Sequence, residues 1–403
     1  MIGSNGSTRW RRALCALLVM GLAAAAGCSE DETATGGTAD ATLEAPDADD
    51  TPPQDTAAPE DTSGEEDTGE APDTGEQDTA PDVEEDTSPP PPQVTRFIVM
   101  GDTGEGNPEQ LRVAQGAQAR CDRAGGCDGF LMLGDNIYDT GPESATDPQF
   151  TTKVDEPYRG LKLGPPPADG EPDNRERMPI YVSLGNHDLG GAGLNRDLIQ
   201  HYIDYAAQND WFYFPSAWWE KKVGNVHLMA LETNSLAYLG TKYDDHGQMV
   251  EGVLSSTDAR WTIAFGHHPY RSDGQHGNAG SYEGIPGDLT INGGEFRKWI
   301  DEFVCNRVDF YLSGHDHNRQ WFNSVPDIPT WPFWEDDTRP CNSWFAVSGA
   351  GAKLRGMKDR DNDLAFGEAT LGFLFMEFHE NKVVAEYCDA DGNTEWTRTL
   401  TGH

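Results

Sequence analysis

Five stretches of this chain end an apolar run with a glycine and follow it with residues able to bind a metal ion. They are Gly101-Asp102-Thr103-Gly104, Gly134-Asp135-Asn136-Ile137-Tyr138, Gly185-Asn186-His187-Asp188, Gly266-His267-His268-Pro269 and Gly314-His315-Asp316-His317-Asn318. Carboxylate, amide and phenol oxygens with imidazole nitrogens suit hard or borderline ions rather than soft, thiolate-seeking ones. The set is too large for one tetrahedral ion, whereas two ions sharing a carboxylate would use all of it, with Asp135 as the shared ligand. Two ions roughly 3.5–4 Å apart can polarise a phosphoryl group, generate hydroxide and clamp an in-line displacement.

Placing such ligands needs strands that all stop at one rim. Arg96–Met100, Phe130–Leu133, Ile180–Leu184, Trp261–Phe265 and Val308–Leu312 are apolar runs of the kind buried on both faces of a sheet. Each leads into one of the five motifs. Glycine lets the backbone turn sharply there, and sites in open α/β sheets gather beyond the carboxyl ends of strands. Further strands are expected at Trp211–Phe214, Val226–Leu231 and Phe345–Val347, with a closing pair, Phe373–Phe378 and Val383–Tyr387, and a turn at Asp391-Gly392. Helices are expected over about Pro108–Arg120 and Arg196–Ala207. Ser348-Gly349-Ala350-Gly351-Ala352 lacks the Gly-Lys-Ser/Thr ending of a nucleotide loop and is assigned to tight packing near the site.

The 403 residues carry a net charge of −40, and they divide into three unlike segments. Residues 1–28 run from Arg9, Arg11 and Arg12 through the apolar Ala13–Ala26 to Gly27-Cys28, a signal-peptide layout too short to span a bilayer. Residues 29–93 hold 22 acids and no Lys or Arg. They cannot bury enough apolar surface to offset ordering entropy, so they read as a disordered acidic Asp/Thr/Pro-rich tether, spanning about 45 Å as a coil. Residues 94–403 are long enough for one catalytic domain and hold 47 acids against 26 bases, a balance that argues against a nucleic-acid partner. Of its five cysteines, Cys121–Cys127 and Cys305–Cys341 are candidate disulfides for an exported chain, leaving Cys388 as a buried thiol.

The motif set resembles the calcineurin-like metallophosphoesterases, and within them the purple acid phosphatases of the small, tartrate-resistant type, over essentially residues 95–400. The resemblance implies an α/β fold, a two-sheet β-sandwich flanked by helices. It implies a binuclear centre of Fe(III) with a divalent metal (Fe, Zn or Mn). Asp102, Tyr138 and His317 fall on the first ion, Asn186, His267 and His315 on the second, and Asp135 between them. Tyr138 is the discriminating residue, because a phenolate stabilises iron(III) and related phosphodiesterases generally lack it. His187 and His276 match histidines that contact phosphate and help protonate the leaving alkoxide. The implied reaction is hydrolysis of phosphate monoesters, on small molecules or phosphoproteins, by metal-bound hydroxide with no phospho-enzyme. Residues 94–403 carry no Asp-x-Asp-x-Thr, Cys-x5-Arg or Arg-His-Gly signature of such an intermediate. One departure is Thr103, where the small acid phosphatases usually have tryptophan; it bears on substrate preference. Ala25-Ala26-Gly27-Cys28 resembles a bacterial lipobox with alanine in place of the usual leucine. It implies a lipid anchor at Cys28 and a cell-envelope location, with Ser29 favouring the outer membrane.

Other readings of single features stand beside these. His268 packs in the core or contacts phosphate; Arg271 binds phosphate or forms a surface salt bridge. Trp321, Trp331 and Trp334 wall a pocket or cover the core. Asp359-Arg360-Asp361-Asn362-Asp363 lacks the glycine and glutamate that an EF-hand needs. The rival functions are a phosphodiesterase on the same fold and a non-catalytic, surface-binding lipoprotein.

Overall fold

A computed structural model describes residues 93–285, 290–323 and 341–401. The signal-like segment, the tether, Cys28, Trp331 and Trp334 lie outside the described residues. Two seven-stranded sheets form the fold. The first has the order β14-β13-β12-β1-β2-β3-β4, where β1 is Thr95–Met100, β2 Gly129–Leu133, β3 Ile180–Ser183, β4 Phe212–Tyr213, β12 Gly372–Phe378, β13 Lys382–Asp389 and β14 Thr394–Thr401. The second runs β11-β9-β10-β8-β7-β6-β5, where β5 is Trp219–Val223, β6 Val226–Ala230, β7 Trp261–Phe265, β8 Phe310–Ser313, β9 Arg319–Phe322, β10 Trp344–Ser348 and β11 Leu364–Glu368. Each sheet contains a run of four parallel strands: β1, β2, β3 and β4, which reaches the edge, in one, and β6, β7, β8 and β10 in the other.

Apolar periodicity explains the layering. Along the second sheet Leu228, Ile263, Phe265, Phe310, Leu312 and Ala346 join the core shared with the first sheet. Their strand neighbours Met229, Ala264, Tyr311, Phe345 and Val347 form a second core with Val250, Val253, Phe296, Trp299 and Ile300 of two helices. Alternate residues of a strand point to opposite faces, so each apolar strand has one layer on each side. The outcome is a two-sheet sandwich flanked by helices.

The helix Pro108–Arg123 carries the chain from β1 to β2. Asn107 caps it by accepting from Gln110 N at 2.9 Å, Pro108 supplies a pre-set φ, and Arg120 and Arg123 occupy its last turn. Cys121–Cys127 closes the turn beyond it, Cys305–Cys341 forms as well, and Cys388 is the buried free thiol. Two helices lie outside those expected, Tyr243–Ser256 and Gly294–Phe303, although Phe296, Trp299, Ile300 and Phe303 of the second recur at helical spacing. Each opens on a left-handed residue, Lys242 or Gly293, rather than a capping side chain. Gly247 in the first is set by packing, because a Cβ there would lie 2.5 Å from the Phe303 ring.

Arg319 fastens the two sheets near the rim. It is fully buried at the start of β9, and it donates to Cys388 O at 2.7 Å on β13 and to Glu395 Oε2 at 2.6 Å on β14. Trp321, two residues on, is fully buried core. The hairpin turn between β13 and β14 closes with Gly392 N donating to Asp389 O at 3.0 Å.

Candidate metal centre

At the carboxyl ends of the central parallel strands the five motifs meet. β1, β2 and β3 deliver Asp102, Asp135 and Asn186; β7 and β8 deliver His267, His315 and His317. Asp102, Asp135 and His315 each follow a glycine directly, and each takes a left-handed φ of 56°, 53° and 70°. Such φ values cost about 1–3 kcal/mol for residues with a Cβ and cluster at functional sites. Two of the glycines leave room for the ligands themselves. A Cβ on Gly185 would sit 2.1 Å from Asp135 Oδ1, and one on Gly314 would sit 2.6 Å from Asp102 Oδ2.

On one side of the centre the Tyr138 hydroxyl lies 3.1 Å from Asp102 Oδ1 and 3.3 Å from His317 Nε2, and His317 Nε2 lies 3.3 Å from Asp102 Oδ1. On the other side His267 Nε2 faces Asn186 Oδ1 at 3.1 Å, His315 Nδ1 at 3.0 Å and Asp135 Oδ1 at 3.4 Å. Ligand atoms of Asp135, His267 and His315 form one close group, and those of Asp102, Asp135 and His317 form another. Asp135 belongs to both. All seven expected ligands therefore come together.

Their proton arrangement fits cations. His267 Nδ1 donates to Leu133 O at 3.0 Å, which leaves only a lone pair on Nε2 of the neutral ring. That lone pair faces two oxygens and one nitrogen. Acceptors converge here with few protons to join them, and a positive ion is what such a set lacks. The charge balance of the protein itself shows the same tension. Burial resists charging His267, yet Asp135 beside it pushes its pKa up to about 9. Burial also works against ionised Asp135, but His267 and His187 hold its carboxyl well below the usual range. Burial, then Asp102 and Asp135, raise the Tyr138 phenol well above normal. Burial and the neighbouring histidines keep His315 neutral, with its pKa well below the usual histidine value. These are the shifts that acids and bases crowded without a counter-ion produce.

Two acids within the motifs turn away from the centre and hold its loops. Asp188 is fully buried and accepts from Asn136 N, Ile137 N, Asn136 Nδ2, Gly185 N and Tyr202 Oη at 2.6–3.0 Å. Burial, then the charge of Asp135, raises its pKa to about 7. Asp316, also fully buried, accepts from His276 N at 2.9 Å and Gly277 N at 3.3 Å. It thereby holds the loop that carries His276.

A cavity of about 300 Å³ opens over the centre, and both His187 and His276 line it. His187 donates its backbone N–H to Asp135 Oδ1 at 2.9 Å, and its Nδ1 meets Asp139 O at 2.6 Å. The His276 ring stacks on His315 with centroids 4.0 Å apart. Its Nδ1 pairs with Glu283, and Arg355 donates to its Nε2 at 3.1 Å. Glu283, Arg355 and Tyr238 complete the wall. Burial, then Glu283, raises the Tyr238 phenol, so it stays protonated.

The remaining candidates settle elsewhere. His268 is buried behind the ligands, with Nδ1 on Thr233 Oγ1 at 2.8 Å and its ring centroid 4.6 Å from that of His315. Arg271 is 2% exposed, stacked near the Tyr270 ring, and is neither on the surface nor in the cavity wall. Gly349 and Gly351 pack against the site, where a Cβ would meet Asp316 O at 2.3 Å and Gly101 O at 2.8 Å.

The calcineurin-like phosphoesterase family model matches residues 95–319, more than half of the chain. Purple acid phosphatase 4 of Arabidopsis thaliana is 24% identical over 330 residues, covering 76% of this chain and 84% of its own. Tartrate-resistant acid phosphatase type 5 of Sus scrofa is 23% identical over 342 residues, covering 76% and 86%. Among solved structures, the purple acid phosphatase PPD1 from yellow lupin (Lupinus luteus) seeds superposes with a TM-score of 0.52 at 17% identity, over 77% of this chain and 54% of that one. GAP50, the anchor in the inner membrane complex of Plasmodium, superposes with a TM-score of 0.56 at 18% identity, over 77% and 89%. At these identities the two structures speak for the fold alone.

Proposed function

The chain belongs to the calcineurin-like phosphoesterase family, and from that premise we propose that it hydrolyses phosphate monoesters at a binuclear metal centre. The observation that carries this reading is the convergence of seven ligand atoms in two groups that share Asp135. Asp102, Tyr138 and His317 would hold one ion, Asn186, His267 and His315 the other, with Asp135 reaching both. Iron at the Tyr138 side is part of the proposal and rests on the phenol oxygen there, a hard donor of the kind that suits such an ion. When bound, two such ions lower the pKa of water and neutralise phosphoryl oxygens.

The chain's own groups do the rest. His187 lines the cavity with its Nδ1 donating to Asp139 O, so its Nε2 donates to a phosphoryl oxygen only when the ring is protonated. His276 is placed to protonate the leaving oxygen. In the free protein Arg355 donates to its Nε2, so that ring atom is an acceptor and the proton sits on Nδ1 toward Glu283. An anionic substrate draws Arg355 away and frees Nε2 to take up a proton from solvent water, which it later delivers to the leaving oxygen. Glu283 stabilises the imidazolium that forms.

The proposal extends to export and anchoring through Cys28. Two disulfides agree with an oxidising compartment, and the acidic residues 29–93 would serve as spacer. Among the described residues no helix is long and apolar enough to cross a membrane.

Metal analysis and a visible spectrum test the centre, and p-nitrophenyl phosphate against its bis-ester tests the reaction. The expected result is two metals per chain, a visible band that Tyr138→Phe abolishes, and faster turnover of the monoester. Preference for the bis-ester would make the protein a phosphodiesterase. No hydrolysis of either by metal-loaded protein would leave a binding protein.

A further inference from the structure

The segment after β10 is basic in an otherwise acidic domain. Lys353, Arg355, Lys358 and Arg360 fall within eight residues, with Asp359 as the one acid among them. Two of the four are committed: Lys353 pairs with Glu105 at 2.6 Å, and Arg360 donates to Gly274 O and Gln275 O at 3.2 and 2.9 Å. Arg355 and Lys358 have no carboxylate within salt-bridge distance among the described residues. Arg355 is tied to the centre, because its backbone N donates to His317 O at 2.9 Å and its guanidinium reaches His276. Lys358 is fixed beside it by Nζ donating to Gln275 O at 3.2 Å. These two cations line a second, more open cavity of about 450 Å³ with Gln275 and Gly356. It shares His276, Glu283 and Arg355 with the cavity over the metal centre. The carboxylate of Glu283, which also lines the second cavity, pairs with His276, so the two cations there outnumber the one carboxylate next to the place where a scissile phosphate would sit.

We propose that this adjoining cavity holds a second phosphate group, and that the preferred substrates are phosphate monoesters carrying another phosphate close to the scissile one. The proposal rests on the phosphomonoesterase reading above. A domain of 47 acids and 26 bases repels polyanions over most of its surface. A local pair of cations beside the centre therefore focuses them onto one approach. Arg355 touches both cavities and Lys358 only the second, so Lys358 reports on the outer group.

The test compares fructose 1,6-bisphosphate with fructose 6-phosphate as substrates of the metal-loaded full chain, by phosphate release at low ionic strength. The wild type is expected to show kcat/KM about tenfold higher for the bisphosphate, carried by KM, and added salt should shrink the ratio. Lys358→Glu should bring the ratio close to one. Equal values in the wild type, or a ratio untouched by Lys358→Glu, would overturn the proposal. Loss of all turnover, of p-nitrophenyl phosphate included, would sink the phosphomonoesterase reading instead. Titration of pyrophosphate against phosphate would then decide the cavity: a preference abolished by Lys358→Glu supports it, and one indifferent to that change refutes it.

Discussion

Replacing Asp188 with asparagine tests whether the loops of the centre are held by the acid beside the ligands. Oδ1 of Asp188 accepts from Asn136 N, Ile137 N and Tyr202 Oη, and Oδ2 accepts from Asn136 Nδ2 and Gly185 N. An asparagine keeps one acceptor oxygen and puts an NH₂ where the other stood. At least two buried donors are then stranded, at about 1–3 kcal/mol each, a loss of about 2–6 kcal/mol. One effect opposes this. Burial and Asp135 raise the Asp188 pKa to about 7, so an amide escapes part of the cost of a buried charge. Ions bound at Asp135 reduce that cost and leave the stranded donors as they are. Asp188→Asn should therefore destabilise the metal-loaded protein more than the chelated one. Thermal unfolding with and without chelator reads this as a Tm fall of at least about 4 °C in the loaded form. Metal affinity should weaken by about 10–100-fold, the usual effect of removing a group that orients ligands. A variant that melts with the wild type when loaded, and holds its metals as tightly, would refute the reasoning.

Other perturbations bear on the same site and on the fold around it. Gly185→Ala places a Cβ 2.1 Å from Asp135 Oδ1 and 2.4 Å from its backbone N, so the shared carboxylate must move. Elemental analysis should find fewer than two metals, and kcat on p-nitrophenyl phosphate should fall by about 100-fold. Tyr238→Phe removes a protonated hydroxyl that lines the cavity and has no hydrogen-bond partner among the described residues. If it donates to the phosphoryl group, kcat/KM drops by about 10–100-fold; a change under about twofold would free Tyr238 of that role. His246 is buried, with Nδ1 on Lys242 O at 2.8 Å and Nε2 accepting from Glu232 N at 3.1 Å, and burial lowers its pKa. Its folded pKa lies below the unfolded one, so the unfolded chain takes up the proton first as pH falls. Its contribution is intact above about pH 6.5 and lost below it, by at most about 1.4 kcal/mol per unit. His246→Gln abolishes that titration, so the stability gap between wild type and variant, measured by urea unfolding, should narrow from pH 7.5 to pH 5.

How far the site was legible follows from how each residue is placed. The seven ligands stand where an apolar run stops at a glycine, and that local pattern survives folding intact. Asp188 and Asp316 stood inside the same motifs, but nothing local says that their carboxylates turn outward to collect backbone N–H groups. An acid next to a ligand, near a loop rich in unpaired N–H groups, is the signal that could have found them. Arg355 lies 79 residues from the histidine it touches, and Glu283 and Tyr238 likewise owe their positions to tertiary folding. The parallel strands were legible because both faces are covered and most of their residues are apolar. The helix Tyr243–Ser256 was not, because its glycines lower propensity and only the ring of Phe303 explains one of them. The edge strands β5 and β14 carry alternating polar residues that a loop could equally contain.

The fastening of the two sheets by Arg319 bears on how the protein would acquire its ions. The His315–His317 loop leads straight into that buried clamp, and the clamp reaches β13 and β14 of the opposite sheet through hydrogen bonds between protein groups. Bonds within the protein thus hold the two halves of the ligand set in register. For mixed oxygen and nitrogen donors raw affinity follows the general order of the divalent metals rather than biological need, so selectivity rests on geometry, ligand type and metal supply. Occupancy then becomes a record of where the chain folded and which ions were plentiful there. The same polypeptide prepared from iron-rich, zinc-rich or manganese-rich surroundings should come out differently metallated, with colour and rate varying together.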